Sequence, residues 1–93
     1  MDTDSTSNTQ RIDDIKKQIM LQERFFQFKP NDATGNNLMG RYYSDFAKVT
    51  LDPQDYRAAW NYLNNSIRLA PTNCLYLSDR ASLHAFFKTL KKL

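Results

Sequence analysis

The sequence predicts an all-α fold, a small antiparallel helical bundle or hairpin array of about four helices. Apolar residues recur at steps of three and four along most of the chain. Proline, aspartate and asparagine punctuate that pattern at three places. Strand signal is nearly absent: there are two glycines and no Asn-Gly or Asp-Gly turn joins two alternating runs.

The first helix is expected from about Gln10 to Phe28. Ile12, Ile15, Ile19, Gln22 and Phe26 form one row, with Asp13 and Asp14 early and Arg24 and Lys29 late, an order that suits the helix dipole. Pro30 closes it, because the residue before a proline is pushed out of helical geometry. Residues 29–36, KPNDATGN, read as a connector. A second helix is expected from Asn36 or Asn37 to Val49 or Thr50, its apolar side marked by Leu38, Met39, Tyr42, Tyr43 and Phe46. Asp52 is placed to cap a third helix and Pro53 to occupy its first turn, where an N–H is not needed. That helix carries Tyr56, Ala59, Trp60, Leu63 and Ile67 and closes before Pro71. A fourth runs from a cap at Thr72 or Asn73 to about Lys91. Its two rows are Leu77, Ala81, His84 or Ala85, Lys88, and Tyr76, Arg80, Leu83, Phe87, Leu90.

The first nine residues hold no large apolar side chain beyond Met1 and are expected to form a disordered tail, leaving 10–93 as a single helical domain. Net charge is +3 over the 93 residues. Residues 1–32 carry six acids and five bases, and residues 33–93 four acids and eight bases. This is a mild basic bias rather than the Lys/Arg stripe of a dedicated nucleic-acid binder. A lone cysteine, Cys74, rules out an intrachain disulfide and a cysteine-cluster zinc site. The acidic, polar start suits neither a secretory signal nor a transit peptide, and no apolar run reaches the roughly 20 residues needed to span a bilayer. The expected address is cytoplasmic or nuclear.

One stretch carries a more specific pattern: Tyr43, Phe46-Ala47, Tyr56, Ala59, Leu63, Ser66-Ile67, Leu69, Pro71. It resembles a tetratricopeptide repeat, and Leu77 and Ala81, 34 residues after Tyr43 and Ala47, begin a second unit in register. The resemblance covers about residues 40–90, one and a half repeats. Gln54 stands where the family has glycine and Thr50 where it has a large aromatic, and the first helix does not follow the period. The resemblance implies that small residues at Ala47, Ala59 and Ser66 let two helices approach closely. It also implies a protein-binding scaffold with a groove lined by Arg41, Ser44, Asp45 and Lys48 of one helix and Leu75, Ser78, Asp79 and Ser82 of the next. A family variant grips chaperone C-terminal carboxylates with a lysine and two asparagines. The matching positions here are Ser44, Lys48 and Asp79, so that ligand is not expected.

The remaining residues divide into plain and sharper readings. His84 has no partner ligands at metal spacing and reads as structural or solvent-facing. Cys74 reads as a small packing residue, and Asp13-Asp14 as surface charges. No phosphate loop, nucleophile elbow or paired-histidine motif occurs, so neither catalysis nor a cofactor or metal is expected. Phe25, Phe26 and Phe28 cannot all face one narrow stripe; either the core wraps around them or they form a hydrophobic interface, with another protein or with a second copy. The expected function is a non-enzymatic interaction module, an adaptor or complex subunit, with no membrane role. The alternative is a nucleic-acid-binding domain using the basic C-terminal half, from Arg80 through Lys88, Lys91 and Lys92. The final helix is either a cap, with Leu83, Phe86, Phe87 and Leu90 mostly covered, or an interrupted unit with that row exposed.

Overall fold

The computed structural model describes the backbone of residues 3–91 and the side chains of residues 9–27 and 29–90. Four helices follow one another: α1 (Thr3–Phe28), α2 (Ala33–Thr50), α3 (Pro53–Leu69) and α4 (Cys74–Lys91). Among the described residues there is no strand. No helix of the described residues is long and apolar enough to cross a membrane.

Helix α1 starts at Thr3, well before the expected start at Gln10. Nothing in that polar stretch is proline or glycine, and adding residues to an existing helix costs far less than nucleating one. At ~1.5 Å per residue its 26 residues outrun the 18 of α2 by about two turns. The row read from its spacing is the row that packs. Ile19 is buried, while Ile12, Ile15, Gln22 and Phe26 are half-buried.

Helix α2 begins earlier than expected too, and the connector shrinks to residues 29–32. Asp32 is the reason: its carboxylate accepts the Gly35 N–H at 2.8 Å and satisfies a first-turn donor. Asn36, expected at the helix start, lies one turn in, and its amide donates to Pro30 O at 3.1 Å and Asp32 O at 2.9 Å. The α2–α3 corner is short. Leu51 adopts a left-handed conformation (φ 58°) and its N–H returns to Ala47 O at 2.7 Å. Asp52 then caps α3 by accepting from Gln54 N at 2.9 Å, with Pro53 in the first turn, as the sequence indicates. Asn73 does the same for α4, accepting from Leu75 N at 3.0 Å.

Packing runs mainly between sequence neighbours, and the α2–α3 pair is the most intimate. Met39, Ala47, Ala59, Leu63 and Ser66 are fully buried. Gly40 touches α3 directly: a Cβ at this position would lie 2.5 Å from Leu63 Cδ2 and 3.1 Å from the Leu63 backbone nitrogen. Only a residue without a side chain lets the helices come this close. Three aromatic rings tie α1 to this pair. Tyr62 stacks on Tyr43 and receives Phe26 edge-on, each with centroids 5.7 Å apart.

Helix α4 is held by α3 and, more lightly, by α2. Thr34 and Tyr76 share a hydroxyl hydrogen bond at 3.2 Å, and Asn37 donates to Asp79 at 2.9 Å. Both pairs are 42 residues apart, so α2 and α4 run in the same direction. Of its two rows, the one through Tyr76, Leu83, Phe87 and Leu90 packs inward, and the one through Leu77, Ala81, His84 and Lys88 faces outward. Leu83 is covered, whereas Phe86, Phe87 and Leu90 are only half-buried against the core.

Candidate functional site

The polar groove expected between the second and fourth helices is only partly brought together. Arg41, Asp45, Leu75, Ser78 and Ser82 are exposed. Ser44 is buried, at 8% exposure, because α2 is flanked by α1, α3 and α4 and has little free circumference. Asp79 is engaged by Asn37, and the Lys48 ammonium lies 5.7 Å from the Phe86 ring centroid. Two of the four groove residues on α2 and α4 that carry charge are therefore committed within the molecule.

A hydrophobic interface on α1 fares differently for each phenylalanine. Phe26 packs on Tyr62 and is half-buried. Phe25 stays 48% exposed beside Met20 and Leu21, with Lys29 Nζ 5.9 Å from its ring centroid. The side chain of Phe28 lies outside the described residues, as do those of Lys91 and Lys92. Cys74 does not pack: it is exposed in the first turn of α4. Among the described residues no group of three or more His, Cys, Asp or Glu side chains could hold a metal ion.

A concavity lies elsewhere, between α3 and α4. A cleft of about 590 Å³ is lined by Pro53, Tyr56, Arg57, Trp60 and Asn61 of α3 and by Leu83, His84, Phe87 and Lys88 of α4. None of the eight candidate groove residues lines it. Burial sorts its wall into layers. Tyr56 and Leu83 are buried and form the floor, half-buried Phe87 forms a wall, and Trp60, Arg57, His84 and Lys88 stand exposed at the rim.

Ring packing holds the cleft open. Tyr56 meets Phe87 edge-on at 5.2 Å and stacks on Phe86 at 5.9 Å, so two bulky residues separate the helices here. At the other edge Trp60 faces His84 at 5.9 Å. Arg80 lies 5.9 Å from the Trp60 ring while donating to Asn64 Oδ1 at 3.0 Å, which fixes the indole from the side. The Tyr56 hydroxyl is buried without a hydrogen-bond partner, and burial pushes its pKa upward.

Trp60, expected on the apolar row of the third helix, stands exposed at the rim, and Gly40, outside the expected rows, is a point of close helix approach. Two signals were present. Phe86 and Phe87 are adjacent on a helix, so both cannot face one narrow stripe, and Gly40 sits in a helix interior, where glycine costs about 1 kcal/mol unless a neighbour needs the space. The chain gives no significant match to any family model, characterised protein or solved structure.

Proposed function

We propose that this chain is a non-enzymatic interaction module, a small tetratricopeptide-like adaptor or complex subunit that takes a partner helix or peptide into the α3–α4 cleft. The observation that carries the reading is the cleft itself. Two helices flank a floor of Tyr56 and Leu83, with an exposed indole at its rim and a half-buried phenyl ring in its wall. A third helix laid against both would bury those rings, the arrangement by which helical modules receive amphipathic segments. Large aromatic side chains in such a position contribute most of the binding energy at protein interfaces. The close spacing of Ala47, Ala59 and Ser66 in the α2–α3 pair supports the repeat-like reading of the scaffold. An exposed Cys74 thiol suits a reducing address in the cytoplasm or nucleus.

A helical-peptide library selected against the purified chain tests this. Enriched binders should be lost with Trp60→Ala and with Phe87→Ser, and retained with Arg41→Ala and Ser78→Ala. Recovery of no binder, or of binders that ignore the first two changes, would overturn the proposal.

A further inference from the structure

From the charges around the cleft we infer that its occupant is an acidic amphipathic helix; this rests on the interaction-module reading and names the partner's chemistry. Every charged side chain lining the cleft is basic: Arg57 on one lip and Lys88 on the other, both exposed. Arg80, outside the lining, is held at the Trp60 edge by the indole and Asn64. No carboxylate lines the cleft. Of the four acids in residues 33–93, three are occupied elsewhere. Asp52 caps α3, Asp55 accepts from Thr50 at 2.7 Å, and Asp79 accepts from Asn37.

An apolar floor between two cationic lips matches a helix with an aliphatic or aromatic stripe flanked by Glu or Asp on both sides. The same charges disfavour a second copy of this chain. The exposed residues around Met20, Leu21 and Phe25 of α1 include Lys16, Lys17, Arg24 and Lys29 against a single acid, Glu23, a net positive neighbourhood that Arg57 and Lys88 would repel. A nucleic acid is a poorer fit than a peptide. Phosphate tracking needs a row of cations along the backbone, whereas only two, Arg57 and Lys88, line this cleft, one on each lip.

Two synthetic helical peptides of about five turns, free of tryptophan, provide the probes. They share one Leu/Phe stripe and differ only in carrying Glu or Lys on the flanks. Emission from Trp60, the single tryptophan, reports binding to the intact chain. The acidic peptide should bind about tenfold tighter than the basic one at low salt, and the gap should shrink as salt shortens the screening length. Arg57→Glu combined with Lys88→Glu should reverse the order; both side chains are exposed, so the fold is expected to tolerate them. Equal binding of both peptides, or preference for the basic one, would overturn the acidic assignment and leave the module reading standing. Binding of neither would overturn both. A single-stranded oligonucleotide that binds tighter than the acidic peptide, or self-association by light scattering that Trp60→Ala abolishes, would also overturn it in favour of that occupant.

Discussion

Toward α2, helix α3 presents Ala59, Leu63 and Ser66, a row with no exposed surface; toward α4 it presents Tyr56 and Trp60. Around Leu63 the residues of α2 are small, Gly40 and Ala47, and the backbones close up until Leu63 fills the remaining space, with the Tyr43–Tyr62 ring pair beside it. On the second side the opposing residues are Phe86 and Phe87, and the rings prop the helices apart around an open cleft. One helix thus makes a sealed seam and an unfilled one. Size of side chain at the centre of each seam, not hydrophobicity, separates them, since both seams are apolar.

The comparison is most easily broken at the sealed seam. Leu63→Ala should cost roughly 3 kcal/mol or more in chemical denaturation, because a fully buried side chain is removed from between two close backbones. Phe87→Ala, although it deletes a larger group, should cost only about 1 kcal/mol, since that ring is half-buried beside an existing void. Equal losses would mean that the two seams are packed alike.

Gly40→Ala tests why the first seam is close. The added methyl meets Leu63, so overpacking of about 2 kcal/mol should outweigh the ~1 kcal/mol gained in helix propensity. In a Leu63→Ala background most of that penalty should vanish, and a double-mutant cycle measures the coupling. Simple additivity would sink the explanation. Asp52→Ala should then cost about 1 kcal/mol through loss of the α3 cap, read from the denaturation midpoint, leaving both seams in place.

The smallest effect is one of pH. Burial raises the pKa of Tyr43, helped by Glu23, Tyr62 and Asp55, and burial followed by Glu23 raises that of Tyr62. The folded chain therefore holds these phenolic protons more tightly than the unfolded chain does. Their contribution is complete below the ordinary tyrosine value of 10.0 and is lost as pH rises through the higher folded values. The urea midpoint should fall modestly between about pH 9 and about pH 11, and less so in Tyr43→Phe.

Legibility in the sequence followed how local the physics is. The cap at Asp52 and the inward row of α1 could be read, and the α4 cap and inward row narrowed to two choices each, because each depends on residues within a turn or two. The start of α2 was misplaced because Asp32 sits among Pro, Asn and Gly residues that equally suit a loop. Ser44 was assigned to a groove because periodicity describes one face, whereas α2 is contacted by three other helices. The cleft was not legible at all. It lies where rings of α3 and α4 meet, a tertiary outcome of packing between residues some 30 positions apart in sequence.

The near-neighbour order of packing has a consequence in time. Each helix finds its main partner immediately before or after it in the chain, so ordering any pair closes only a short loop. Folding that begins at the α2–α3 hairpin can spread outward in both directions without waiting for distant segments to meet. Unfolding reverses the order, with the outer helices released first. Amide hydrogen exchange should accordingly be slowest around Met39, Ala47 and Leu63 and fastest in α1 and the last turns of α4. The α4 wall of the cleft then belongs to the part of the molecule that lets go soonest and the α3 wall to the part that holds longest, so a helix docked as proposed would slow exchange in α4 more than in α2.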